Sequence, residues 1–328
     1  MSSRKSNELA LGKGQAAATV NLTMLDLDDA SFRLSYGFGL DFLKQSISRV
    51  GLINPPVLRK RADGRYQIVC GYKRMLALRE LGVSAAACQL VPPETDDEAC
   101  LLLSLYDNIS HRELNPVDKS LALNRLLSHY SEKKIVSDFL PLLQLQPHIT
   151  QFRAYQPLCL LDKEIRDAVV AGVIDVRSAL SLARLDPEDR RCLAALLIDL
   201  QLSVCKQAEV IASVVEIGMR DGVSPQSVTG DLAIRSVLTD DKLNRPQKGA
   251  ALLRRLRAMR YPLLTAKEKQ VKGRLNALKL PRGVSITPPP FFEDNRYCLS
   301  VYFTDGQELK RRLEELDSII TDDLEPLD

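Results

Sequence analysis

Two short strings hold the residue types that can do chemistry. Gly71-Tyr72-Lys73-Arg74-Met75-Leu76-Ala77 follows an apolar, β-type run and opens a helical one. A glycine turn, two cations and the unpaired backbone N–H groups of a helix N-terminus are what holding a phosphate requires. Lys73 supplies a point charge, and Arg74 a planar fork that can take two phosphate oxygens. Further on, Asp107-Asn108-Ile109-Ser110-His111-Arg112-Glu113-Leu114-Asn115-Pro116 ends one helix in short polar groups and starts another. Asn115 is a good N-cap and Pro116 a good first-turn residue, so that pair has a structural explanation. Asp107 and Asn108 have less structural excuse.

The elements that must position these strings follow from periodicity. Val20 to Leu27 reads as a first strand. Leu40, Leu43, Ile47 and Val50 have the spacing of one helix face, and Gly51 supplies the C-cap. Pro56–Arg59 and Tyr66–Cys70, joined by a turn at Asp63-Gly64, read as a hairpin. A helix is predicted from Lys73 to Leu81, ending at Gly82, and a strand over 86–91. Thr95-Asp96-Asp97-Glu98 has the polar cap and early carboxylates of a helix start, running on through Leu101 to Tyr106.

The predicted architecture is therefore an α+β N-terminal domain over 19–114, preceded by a disordered tail at 1–18. A helical domain over 115–240 follows, with breaks near Ser131, Gln146-Pro147, Gly172, Asp186-Pro187, Gly222 and Asp240. A basic helical segment covers 241–282. Over 283–328, Val284–Ile286, the alternating Leu299, Val301 and Phe303, and a helix striped by Leu309, Leu313, Leu316 and Ile320 form a small ββα unit.

At 328 residues the chain is too long for one ordinary domain. Its 45% hydrophobic content suits sizeable cores, and no run is long and apolar enough for a membrane span. Seven cysteines form no CxxC pair and sit mostly in apolar runs, as reduced thiols of a cytosolic protein do. Three widely spaced histidines argue against a zinc site. The net charge of +3 hides an asymmetry. Between Lys242 and Arg282 there are thirteen Lys or Arg and a single acid, Glu268, leaving 32 basic and 41 acidic residues elsewhere. Such a block is an electrostatic footprint for a polyanion. Its members Arg254, Arg255 and Arg257, then Lys267, Lys269 and Lys272, fall in two groups, each on its own predicted helix. Neutralising phosphates there would weaken binding with salt at a log–log slope of about 0.9 per contact.

The two strings together resemble the signature stretches of ParB/RepB-type partition proteins, with the resemblance running over about residues 20–185. The family most often shows Gly-Glu-Arg-Arg, an aromatic, Arg and Ala at the first string. Here Tyr72 replaces the acid, Lys73 and Arg74 keep two cations, and Leu76 removes the third. At the second, the family reads Glu-Asn-Ile-Gln-Arg, two variable residues, then Leu-Asn-Pro. This chain keeps Asn108, Ile109, Leu114, Asn115 and Pro116, shortens the acid to Asp107, and places Ser110 and His111 where Gln and Arg stand, with Arg112 one step on. Gly51-Leu52-Ile53-Asn54-Pro55-Pro56-Val57 looks like the family loop that approaches the nucleotide base.

The resemblance implies CTP held by Gly71, Lys73, Arg74, Asn108 and Asn54, and Mg²⁺ on the Asn108 oxygen. It implies that Asp107 would orient water in a weak CTP hydrolysis. Asp107 is one methylene short of Glu, and a displacement of about 1 Å can cost about a hundredfold in rate. It also implies a helix-turn-helix. Ile135–Leu145 would be the supporting helix, and Pro147 to Tyr155 the start of the recognition helix. Thr150, Gln151, Arg153 and Gln156 would address phosphates or base edges of double-stranded DNA. Pro141 falls inside that supporting helix, where proline costs about 3 kcal/mol unless a real break lies there. The turn lacks the usual glycine.

The expected protein is a ParB-like DNA-binding protein of plasmid or chromosome partitioning, a CTP-gated clamp on DNA. It would be a bacterial cytoplasmic protein associated with nucleoid or plasmid and with no membrane attachment. It would dimerise through the C-terminal unit and meet a partner ATPase through the tail at 1–18. Two alternatives stand beside it. One is a transcriptional regulator indifferent to nucleotide, favoured by Tyr72, Ser110 and His111. The other is a phosphotransferase or nuclease on the same scaffold, with Asp107 and Glu113 catalytic near Lys73.

Overall fold

The computed structural model of the chain describes residues 16–37, 39–278, 280–292 and 296–320. Strands β1 (Ala16–Asn21) and β2 (Leu25–Asp26) come first, then helix α1 (Asp41–Val50) and strands β3 (Val57–Lys60) and β4 (Tyr66–Cys70). Helix α2 (Tyr72–Glu80) and strand β5 (Ala85–Val91) complete the layer. The strands form one mixed sheet in the order β1-β5-β3-β4-β2. The β1–β5 and β3–β4 pairs are antiparallel, and β3–β5 and β2–β4 parallel.

The single strand expected over Val20–Leu27 is two strands at opposite edges of the sheet. A short 3-10 turn at Leu22–Met24 separates them, and Asn21 caps it by accepting from the Thr23 N–H at 2.9 Å. That local bond competes with ladder pairing and ends β1. Residues 16–18, expected in the tail, belong to β1; the rest of the tail, 1–15, lies outside the described residues.

Strand β4 is buried on both faces, which is why its sequence runs apolar rather than alternating. Ile68 joins Leu58, Ile47, Met75 and Leu78 in a core beneath α1 and α2. Val69 and Cys70 face a second core with the helices that follow. These are α3 (Asp97–His111) and α4 (Pro116–Leu126). Asp96 caps α3 through the Ala99 N–H, and the helix continues to His111, so Asp107–His111 is its last turn. Asn115 and Asp118 form a reciprocal capping box on α4.

The helix-turn-helix region departs from expectation. Helix α5 (Glu132–Lys134) widens at Ile135–Phe139 to i→i+5 bonding, the Leu140 N–H donating to Ile135 O at 3.0 Å. It ends at Phe139, before Pro141, which has no N–H to continue it, so the supporting helix starts at Glu132 and stops six residues short of Leu145. Gln144, at φ 56°, takes the left-handed turn position for which glycine is usual. Helix α6 (Ile149–Tyr155) begins two residues after Pro147 because His148 is extended. A 3-10 turn at Gln156–Leu160 leads to α7 (Lys163–Val170), α8 (Val176–Ala183), α9 (Pro187–Leu200) and α10 (Val204–Asp221).

The chain divides into two compact units, residues 1–211 and 212–328. The second contains α11 (Pro225–Thr229), α12 (Leu232–Leu238), α13 (Arg245–Arg260), α14 (Pro262–Ala277), the antiparallel strands β6 (Val284–Thr287) and β7 (Cys298–Val301), and α15 (Gly306–Ile320). The fold class is thus the one read from the sequence: an α+β N-terminal region, a helical middle and a small C-terminal hairpin plus helix. Strand β7 stops at Val301, leaving Phe303 outside the strand and exposed. No helix among the described residues is long and apolar enough to cross a membrane.

Candidate nucleotide-binding site and nucleic-acid surfaces

Strand β4 delivers the chain to Gly71, whose φ of 87° turns it into α2. A side chain there would be strained, and a Cβ would lie 2.9 Å from Arg74 Nε. Arg74 folds back over this turn. Its Nη1 donates to Asn54 O at 2.6 Å and its Nη2 to Asp107 Oδ2 at 3.3 Å. One guanidinium therefore ties the Gly51–Pro56 loop, the start of α2 and the end of α3 together.

A cavity of about 350 Å³ opens at this junction. Gly71, Lys73, Arg74, Asn54, Asp107 and Asn108 all line it, so the tertiary structure brings together every residue predicted for nucleotide. His111 lines it as well. Two cations that the resemblance did not assign complete the wall, Arg33 and Arg112. Arg33 sits 4.7 Å over the Tyr72 ring, whose hydroxyl donates to Leu27 O at 2.8 Å. Tyr72, standing where the family carries an acid, is thus a shelf for a cation. Nothing in the irregular stretch around Arg33 has a periodicity that would have found it.

Arg112 is held at the end of α3. It donates to Asn108 Oδ1 from Nε at 3.1 Å and from Nη2 at 2.9 Å, and to the buried Asp118 carboxylate. Asp118 is wholly buried and also accepts from the Tyr36 N–H at 2.6 Å and the Asn115 N–H at 3.2 Å. The sequence noted Arg112 as one step past the family position; Asp118, which the sequence reading did not single out, is its anchor.

Electrostatically the cavity is cation-rich. Burial, then the Arg112 charge, lowers the Lys73 ammonium to about 8, with Arg33 adding to the effect and Asp118 opposing it. A site that penalises its own lysine charge gains most from a multiply charged anion. The α2 N-terminus adds its N–H groups to the same wall. The residues therefore fit a polyphosphate. They do not by themselves fit Mg²⁺: the Asn108 oxygen is engaged by Arg112, and the described residues contain no cluster of three or more acidic, His or Cys groups. Glu113, the second carboxylate of the enzyme alternative, is exposed and does not line the cavity.

The DNA candidates divide. Thr150 and Arg153 are exposed on α6, and Gln151 is half-buried. Gln156 lies beyond the helix, in the 3-10 turn, and its Nε2 donates to Asn124 Oδ1 at 2.9 Å. That side chain serves an internal network in which Asn124 also donates to Gln156 O at 2.7 Å. In the second unit, Arg254, Arg255 and Arg257 are exposed on α13, and Lys269 and Lys272 on α14. The block's single acid, Glu268, accepts from Arg257 at 2.6 Å, and Asp231 stands 3.8 Å from Arg255.

Part of the chain is similar to known proteins. The profile of the ParB N-terminal domain matches residues 15–109. A probable chromosome-partitioning protein ParB of Pseudomonas putida is 33% identical over 91 residues, which is 28% of this chain and 31% of that protein. The chain thus spans about a third of the length of that relative. A nucleoid occlusion protein of a Geobacillus species is 27% identical over 172 residues, covering 52% of this chain and 58% of the relative. The crystal structure of a C-terminally truncated ParB from Caulobacter crescentus complexed with CTPγS is 22% identical, with a TM-score of 0.26 over 56% of this chain and 99% of that one. Residues 15–109 accordingly belong to the ParB N-terminal domain family, and chromosome-partitioning ParB and nucleoid occlusion proteins are homologues of this chain at low identity.

Proposed function

We propose that this protein is a ParB-like DNA-binding protein of chromosome or plasmid partitioning whose N-terminal cavity takes CTP and gates its hold on DNA. The observation that carries the reading is the convergence of Lys73, Arg74, Arg33 and Arg112 on one cavity at the α2 N-terminus. In this reading Lys73 and the α2 N–H groups meet the phosphates. Arg74 forks onto them by leaving Asp107, and Asn54 faces the base from the rim. Double-stranded DNA would meet Thr150 and Arg153 on α6, and separately the basic faces of α13 and α14. A second copy of the chain and a partner ATPase belong to the same reading, supported by the resemblance.

A second reading has one specific observation in its favour. Arg74 already donates to Asn54 O and Asp107 Oδ2, and Asn108 Oδ1 already accepts from Arg112, so these groups are internally paired without ligand. That favours a nucleotide-independent regulator. Calorimetric titration with CTP, with and without Mg²⁺ and DNA, separates the two. Binding that disappears in Arg74→Ala supports the gated clamp. Salt-sensitive DNA binding with no CTP heat supports the regulator.

A further inference from the structure

His111 stands where the family carries an arginine, and its surroundings fix its chemistry. Nδ1 lies 2.7 Å from the backbone carbonyl oxygen of Asp107 and 3.0 Å from Ser110 Oγ. A carbonyl oxygen can only accept, so Nδ1 must carry the ring proton. The Ser110 hydroxyl spends its own proton on that carbonyl too, at 3.1 Å. In the neutral ring Nε2 is then the bare, basic nitrogen, and no group among the described residues is hydrogen-bonded to it. The side chain is 60% exposed and lines the cavity mouth. The Asp107 carboxylate oxygen Oδ1 lies 3.5 Å from Nδ1. Arg74 from α2 shares that carboxylate, and Lys73, Arg33 and Arg112 are the other charges on the cavity wall.

We propose that His111 is a catalytic residue of this site, its Nε2 taking a proton from a water that attacks the terminal phosphoryl group of a bound nucleoside triphosphate. The inference rests on the nucleotide reading above. The water oxygen bonds to the terminal phosphorus. The bond to the β,γ-bridging oxygen breaks, its electron pair leaving with the nucleoside diphosphate, and the water proton passes to Nε2. Inorganic phosphate is released and the imidazolium returns its proton to solvent. Asp107 becomes a positioning residue, holding the ring and balancing its charge rather than touching the water. The shortened carboxylate is thereby compensated by a base that the family pattern does not carry.

The test uses the full chain, with CTPγS for binding and CTP with Mg²⁺ for turnover, each with and without DNA. His111→Ala should bind CTPγS within about threefold of wild type and release phosphate about a hundredfold more slowly, the scale of a lost general base. Added imidazole should restore part of that rate in His111→Ala and none in Arg74→Ala. Nitrogen NMR of the wild-type ring should show the Nδ1-protonated tautomer. Unchanged turnover in His111→Ala, an Nε2-protonated ring, or equal loss of binding and turnover would each overturn the assignment. Wild type that binds CTPγS but releases no phosphate from CTP overturns it while leaving the nucleotide reading intact. Wild type that binds neither nucleotide overturns both.

Discussion

Lys73 makes the nucleotide reading testable by pH alone. Its ammonium is held at about 8 by burial and by the Arg112 and Arg33 charges. A bound triphosphate would supply the missing counter-charge and return Lys73 toward the ordinary lysine value of about 10.4. Below about pH 8 the lysine is charged in free and bound states alike, and affinity is flat. Above it, the free protein has lost the proton that the complex keeps, so binding must take one up and affinity falls. With full restoration, the loss between about pH 7 and about pH 9.5 is roughly thirtyfold, and with restoration of half the shift roughly tenfold. Calorimetry with CTP in buffers of different ionisation enthalpy reads both the affinity and the proton uptake. Lys73→Met should bind more weakly at neutral pH and show neither the slope nor the uptake. A wild-type affinity that stays level across that range, with no proton taken up, would refute the placement of the phosphates against Lys73.

Four further outcomes are expected. Asp118→Ala should destabilise the first unit by about 3–5 kcal/mol in urea unfolding, because it strips a wholly buried carboxylate from Arg112, Tyr36 and Asn115; a loss under about 1 kcal/mol contradicts the anchor role. Gly71→Ala should cost about 1–3 kcal/mol from its left-handed backbone and also weaken CTP binding, since its Cβ would push on Arg74. On α6, Arg153→Ala should weaken DNA binding in a filter assay, whereas Gln156→Ala should instead lower stability by about 1 kcal/mol through the lost Asn124 bond. Replacing Arg254, Lys269 and Lys272 together by alanine should reduce the log–log salt slope of DNA binding by about 3; an unchanged slope would remove the α13 and α14 faces from the DNA interface.

What the sequence determined by itself is what residues within about four positions of one another decide. Gly51 and Gly64 take positive φ at the cap and turn predicted for them, at 75° and 83°. Asn115 and Pro116 start α4 with the expected cap. The hairpin, the breaks at Gly172 and Asp186-Pro187, and the motif strings at the ends of β4 and α3 were legible for the same reason. That the two strings share one site was implied by the family resemblance, not by any local rule. Sites of competing local bonds were misread: Asn21 ended a strand early, and Pro141 ended a helix that wider bonding had already altered.

The tertiary structure decided everything that depends on charge neighbours distant in sequence. Arg33 reaches the cavity from an irregular stretch by resting on Tyr72, and Arg112 is oriented by Asp118, itself joined to Tyr36. Lys73 loses part of its basicity to these cations, which no local pattern announces. Gln156 looked like a groove-reading side chain until its partner Asn124, on α4, turned it inward. Local rules fix where a chain turns. Desolvation and Coulomb energies depend on what the fold later brings within a few ångströms, and so they emerge only when the chain is packed.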